Sequence, residues 1–445
     1  MRMKNSVALT AMTLALMTPQ AVMAKSASNG PSTSEKLTVA QQQIAELRAQ
    51  LNMLQARMDQ LAQAQNQVAE TAQLAQTAST KVDQAMAKAD AASAQAAKPA
   101  AIPEAVKWAA DTKISGRMYF NMSSVSSDNA AGANVEKDGG FQIKRFYVGI
   151  DHKFNNVFSG NITVDVDNVV KSTSLSGSTL STSNAGQGLY IKKAYLEAKF
   201  SPAVIVRAGS TDMPWIPYVE GIYGYRHVEK TLTDLDGFGT SADWGVHVMG
   251  SIANGLVSYQ VSAVDGAGYR NPQFTKTVDL EGRISLQYKG FNAAMGGYTG
   301  KLGKDVQGAT TTFTANRFNA LLAYKGKLAS IPVTIGGEYF CAKNWNRVTS
   351  ATEDASDGYS LFASVDPVKK WSVFGRYDWV KPSKDLKPLQ VDHFFNVGVQ
   401  YSPAKIVDLA LVYKRDSGDG SVKIGNLATG QATRDEIGLY GQFRF

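Results

Sequence analysis

Fixed positive charge is the chemistry this chain has most of. Arg117, Lys193, Lys199, Arg207, Arg283, Lys289, Arg317, Lys325, Arg376, Lys414, Arg434 and Arg444 fall on the polar parity of segments that alternate apolar and polar residues. On the same parity stand Asp165, Asp167, Glu197, Asp243, Asp279, Glu281, Glu338, Asp378, Asp408 and Glu436. Cations arrayed along one wall attract anions, and carboxylates attract cations. Twelve bases against ten acids make that wall nearly balanced. Taken singly, any of these charges can be a solvated side chain with no ligand. Lys144 and Arg145 are adjacent, so strict alternation lets only one of them join the set.

Other chemistries have little to work with. The single cysteine, Cys341, excludes a disulfide framework and a cysteine-based zinc site. The four histidines, His152, His227, His247 and His393, are scattered. His247 and Ser251 share a strand face, but four residues of strand hold them roughly 14 Å apart, too far for a nucleophile and its base. No cofactor, metal or nucleic-acid partner is implied.

The segments that carry these charges are strands. Ile114, Met118, Phe120 and Met122 alternate with Ser115, Arg117, Tyr119 and Asn121, and the period of two recurs along the chain. Sixteen such segments begin near residues 113, 140, 156, 188, 203, 242, 255, 276, 291, 313, 331, 357, 369, 391, 405 and 431. Their connections alternate between tight turns, such as Asn155-Asn156 and Ser402-Pro403, and long polar stretches. The long ones are 126–139, 168–187, 212–241, 265–275, 301–312, 344–356, 382–390 and 417–430. Short turns on one rim and long loops on the other predict a 16-stranded antiparallel transmembrane β-barrel. Such a barrel satisfies every backbone group within hydrocarbon, and it needs no long apolar helix. That explains a membrane protein of 445 residues with mean hydropathy −0.19 and a charged fraction of only 19%. Tyr190, Tyr288, Tyr324, Trp371, Trp379, Tyr401 and Tyr413 near strand ends fit interfacial girdles. Ile437, Leu439, Gly441, Phe443 and Phe445 form an outward stripe ending in phenylalanine, as in the assembly signal of outer-membrane barrels.

Three segments precede the barrel. Residues 1–24 read as a signal peptide, with Arg2 and Lys4, an apolar run from Val7 to Met17, and Ala21-Val-Met-Ala24 before the cut. Removing them lowers the formal charge from +8 to +6. After a short segment at 25–36, residues 37–96 predict an α-helical coiled coil placed in the periplasm. Leu37, Ile44, Leu51 and Met58 hold one heptad position, and Ala40, Leu47, Leu54 and Leu61 the other. The seam thins through Gln65, Val68, Ala72, Ala75, Ser79, Val82 and Met86. A linker at 97–110 contains Pro99 and Pro103, and the barrel occupies 111–445.

Loop 212–241 is the longest and the most aromatic, with Trp215, Ile216, Tyr218, Ile222, Tyr223 and Tyr225. Such a loop predicts a constriction folded into the bore, where those rings find cover. Its charges are Arg226 and Lys230 against Asp212, Glu220, Glu229, Asp234 and Asp236, so it is net acidic and faces a wall of arginines.

The order of leader, heptads and barrel resembles the trimeric outer-membrane porins of the phosphate-selective O/P family. Two stretches carry the likeness: Phe141-Gln-Ile-Lys-Arg-Phe-Tyr-Val-Gly-Ile-Asp-His-Lys-Phe154 and Tyr223-Gly-Tyr-Arg-His-Val-Glu-Lys-Thr-Leu-Thr-Asp234. The resemblance implies a homotrimer of barrels in outer-membrane lipid, each with its own pore and an anion path lined by arginine and lysine. Lys144, Arg145, Arg226 and Lys230 align with that pattern. The candidate pore residues are therefore Arg117, Lys144, Arg145, Lys193, Arg207, Arg226, Lys230, Arg283, Arg317 and Arg376. The expected function is passive diffusion of small solutes, anions such as phosphate among them, with no enzymatic step. Two alternatives stay open: a non-selective pore, and a barrel-anchored tether whose coiled coil binds peptidoglycan or a periplasmic partner.

Overall fold

The computed structural model describes residues 33–95, 104–176, 179–420 and 423–445, with the backbone alone at 167–176 and 179–187. The expected signal peptide, the segment 25–32 and the first half of the linker lie outside the described residues. Residues up to 101 and residues from 102 onward form two separate units.

The first unit is a single helix, α1 (Thr33–Gln95). Leu37, Ile44, Leu47, Leu51, Leu54 and Met58 are all exposed along it. The residues of the expected heptad seam lie on this helix.

The second unit starts with α2 (Glu104–Ala110), inside the span expected to be a linker. Sixteen strands follow. They are β1 (Thr112–Asp128), β2 (Asn134–Lys153), β3 (Phe158–Ser176) and β4 (Thr179–Ser201). Then come β5 (Val204–Asp212), β6 (Ala242–Ile252), β7 (Val257–Val264) and β8 (Asp279–Tyr288). The second half holds β9 (Phe291–Gly300), β10 (Ala315–Leu328), β11 (Ile331–Lys343) and β12 (Ala355–Val368). Last are β13 (Trp371–Lys381), β14 (Asp392–Ala404), β15 (Val407–Ser417) and β16 (Thr433–Arg444). Each pairs antiparallel with the next, and β1 pairs with β16, closing the barrel. The fold is the 16-stranded antiparallel barrel that the alternation predicts.

The outer skin is apolar. Met122, Leu189, Leu322, Leu361 and Leu411 project from it, and Phe120 stacks on Phe141 with centroids 5.8 Å apart. Two of the expected long loops prove to be largely strand. The stretch 168–187 continues the β3–β4 ladder, from Val169↔Gln187 to Ser176↔Thr179. Its serines and threonines suit a pleated backbone even where no apolar face marks them as strand. At 126–139 the ladder reaches Asp128↔Asn134, and Asn129 closes the turn by accepting the Ala131 and Ala133 N–H groups at 3.0 Å each.

Loop 213–241 contains two short helices, α3 (Ile216–Tyr223) and α4 (Leu232–Leu235). Pro217 opens α3, and Gly224 ends it with φ 83°, a left-handed conformation that glycine adopts without a Cβ penalty.

Candidate functional site

The loop folds into the bore and lies on one side of it. Trp215, Ile216, Val219, Ile222, Tyr223, Tyr225 and Val228 pack against Ala294 of β9, Leu321 and Ala323 of β10, Phe362 of β12 and Phe374 of β13. Ala410 and Val412 of β15 and Tyr440 of β16 complete the contact. Tyr225 stacks on Phe374 with centroids 4.0 Å apart. A strand can serve as wall here only by being apolar on both faces. Leu321 is 4% exposed and its neighbour Leu322 67%; Phe362 is 5% exposed and Leu361 57%. Gly296 leaves room for the Trp215 ring, which lies 2.7 Å from where a Cβ would stand.

Buried polar groups stitch the loop down. The Trp215 indole donates to Glu338 at 2.7 Å, its backbone N–H donates to Glu281 at 3.1 Å, and the Thr233 hydroxyl donates to Glu338 at 2.6 Å. Arg317 meets Glu281 at 3.1 Å and donates to the Phe238 carbonyl. Arg376 binds Asp378 and the Lys230 carbonyl. Arg283 donates to the Pro214 carbonyl at 2.8 Å and lies over the Tyr218 ring. Arg283, Arg317 and Arg376, expected to line water, therefore sit beneath the loop and hold it. The Arg317 and Arg376 side chains are only 1% exposed. Parity placed them inward correctly; what covers them is the loop.

The opposite wall, β1 to β4, stays open and borders a cavity of about 760 Å³. Lys113, Arg117, Lys192, Lys193, Arg226, Lys405 and Arg444 line it, against Asp151, Asp212 and Glu220. Seven cations to three carboxylates make this side strongly positive, unlike the wall as a whole. Tyr119, Tyr147 and Tyr195 add aromatic surface.

Two β-bulges turn extra cations inward. Tyr119 pairs with Arg145 but Phe120 with Ile143, so Lys144 is an extra residue in β2. Both neighbours then turn inward: Lys144 donates to the Val228 carbonyl at 2.7 Å, and Arg145 meets Asp165 at 2.7 Å. Strict alternation had allowed one; a bulge suspends alternation locally. Next door, Thr163 pairs with Lys193 and Val164 with Ile191, which makes Lys192 the extra residue of β4. Lys192 donates to the Tyr147 hydroxyl at 3.2 Å, and Lys193 binds Asp212. Parity missed Lys192; the doublet Lys192-Lys193, like Lys144-Arg145, was its only signal.

Of the remaining candidates, Arg207 and Arg226 are paired. Arg207 binds Glu197 at 2.8 Å and lies over the Tyr195 ring. Arg226 binds Glu220 at 2.5 Å and Asp234 at 3.5 Å. Burial works against the Arg226 charge, but those two carboxylates outweigh it and hold the guanidinium above its ordinary value. Lys230 contributes its backbone, donating to Glu229 at 3.0 Å and accepting from Arg376. Arg117 and Lys192 have no carboxylate within ion-pair distance among the described residues; Arg117 meets only the Tyr119 hydroxyl, at 3.3 Å. The histidine–serine alternative is not assembled. His247 bonds Ser262 at 2.8 Å rather than Ser251, and both partners are fully buried.

No family model and no curated protein matches the sequence. Solved structures do match in fold. An anion-selective porin from Comamonas acidovorans is 11% identical and covers 75% of this chain and 99% of its own, with a TM-score of 0.53. The outer-membrane channel DcaP of Acinetobacter baumannii is 13% identical over 75% of this chain and 97% of its own, with a TM-score of 0.49. At such identities the likeness is one of fold.

Proposed function

We propose that the protein is an outer-membrane porin that passes small hydrophilic solutes by diffusion and prefers anions, phosphate among them. The observation that carries this reading is the open cavity beside β1–β4, where Arg117 and Lys192 have no carboxylate within ion-pair distance. A cation already satisfied by a carboxylate offers a passing anion little; an unpaired one in a narrow bore offers it most. Lys144, Arg145, Lys193, Arg207, Arg226 and Lys230 set the surrounding potential, largely through ion pairs and loop contacts. The apolar skin and closed sheet support a place in outer-membrane lipid. The fold-level likeness to a porin described as anion-selective agrees with that preference. The exposed heptads of α1 support a homotrimer whose helices form a periplasmic coiled coil, free to touch peptidoglycan or a periplasmic partner.

Planar-bilayer recording tests the reading. Purified protein should give stepwise conductance, and its reversal potential in a salt gradient should lie on the anion side. Arg117→Gln with Lys192→Gln should lower the anion-to-cation permeability ratio about two- to threefold. A reversal potential of zero in the unaltered protein identifies a non-selective pore. Absence of current steps removes the pore and leaves the tether.

A further inference from the structure

A barrel assembled from hairpins has one strand pair that no turn joins. Here it is β1 with β16, in register from Arg117↔Arg444 to Asp128↔Thr433. Closing that seam costs more chain entropy than any hairpin, because its partners stand at opposite ends of the barrel sequence. Rings cross it on the outside, where Phe120 covers Gly441 and Phe445 covers Gly116.

Inside, the constriction loop arrives at the same seam. Lys144 comes from β2, beside β1, and Lys414 comes from β15, beside β16. Their ammonium groups converge on one acceptor, the Val228 carbonyl, at 2.7 and 2.9 Å. Lys414 also binds the Glu229 carboxylate at 2.9 Å. Tyr440 of β16 lies under both, with its ring centre 5.2 Å from Lys144 and 4.1 Å from Lys414. The two lysines are held together here on a carbonyl and a ring face, beside the Glu229 carboxylate and the Glu436 carboxylate that accepts from Tyr440. Lys144 reaches this point only because the β2 bulge turns it inward.

We propose that the constriction loop is a cross-brace for the closing seam, and that Glu229 is the positioning residue that pins it. With the carboxylate in place, the strands on either side of the seam are tied to one loop segment. Without it, Lys414 loses its carboxylate partner and the loop loses its ion pair to the strand beside β16. This role is independent of which solute the bore passes, and ion current does not enter its test.

The test uses the full chain carrying Cys341→Ser, with and without Met122→Cys/Leu439→Cys, an opposed pair that can lock the seam as a disulfide. Glu229→Gln and Glu229→Asp are compared with Trp215→Phe, which loosens the loop at the far wall. Amide hydrogen exchange is followed strand by strand in detergent, with the heat-unfolding midpoint. Glu229→Gln should speed exchange in β1 and β16 by about tenfold, and much less in β9–β12. Glu229→Asp should restore most of the protection, and Trp215→Phe should not reproduce the pattern. In the locked background, Glu229→Gln should lose most of its effect on the midpoint. The proposal is overturned by unchanged exchange, by acceleration spread evenly over the strands, or by an equal fall in midpoint with the seam locked. If Glu229→Gln folds only when the seam is locked, the brace is supported; if it folds in neither background, the role lies elsewhere.

Discussion

His227 and Glu229 lie two residues apart on the inward loop, and both resist acid. Burial pushes the His227 imidazole down to about 3, where Asp408 partly offsets the effect and Lys144 adds to it. Its rings neighbour Tyr119 and Tyr225. Burial opposes ionisation of Glu229 as well, but Lys414 and Lys144 outweigh it and hold that carboxyl well below its usual range. The signs agree. Between about 6.5 and about 3 the unfolded chain binds a proton at His227 that the folded chain refuses, so stability falls as pH falls. The Glu229 contribution is present above its unfolded value near 4.5 and disappears as pH drops through the folded value. The heat-unfolding midpoint in detergent should therefore decline from neutral pH downward, and His227→Phe should flatten the upper part of that decline. A midpoint independent of pH between 7 and 4 would contradict the His227 assignment. Trp215→Phe removes a donor from Glu338 and leaves a buried carboxylate short of one partner, a loss of roughly 1–3 kcal/mol. Chemical denaturation followed by tryptophan-independent circular dichroism would measure it.

At the scale of the element, the bulges in β2 and β4 and the doubly apolar strands divide the bore between them. The β4 bulge puts Lys192 on the open wall, the β2 bulge turns Lys144 to the loop, and the apolar inner faces fix where the loop lies. Phe374 is 2% exposed while Val373, on the other face, is 41% exposed. Phe374→Ala should cost about 3–5 kcal/mol if the loop cannot settle into the space, and it should widen the bore. Exclusion of neutral polymers of graded size from single channels would report that widening; an unchanged cutoff would show that Phe374 does not set the loop's position. Helix α1 is a different element with a different requirement. In the proposed coiled coil its exposed leucines face another helix, so Leu47→Glu with Leu54→Glu should weaken self-association of the full chain. Analytical ultracentrifugation in detergent distinguishes the outcomes, and an unaltered oligomer would assign assembly to the barrel alone.

For the whole molecule, alternation was enough to place sixteen strands, their antiparallel order and, outside the bulges, their inner and outer faces, because a closed barrel repeats one local rule with period two. The inward aromatic loop was legible as well, since Trp215, Tyr223 and Tyr225 need cover that solvent does not provide. The wall that receives it was not read from the sequence, although Leu321-Leu322, Leu361-Phe362 and Leu411-Val412 depart there from strict alternation. The candidate site divided differently. Parity turned Arg317 and Arg376 inward but had no means of showing that the loop covers them, and it counted charges without their partners. Whether a cation is paired depends on residues far apart in the chain, as Lys414 and Glu229 are, and periodicity carries no information about such pairs. Sequence by itself determined the cylinder, because its instructions are local and repeated. Tertiary structure alone decided which half of the bore is filled, which cations stay free and where the loop meets the seam, because those follow from packing and charge pairing between distant residues.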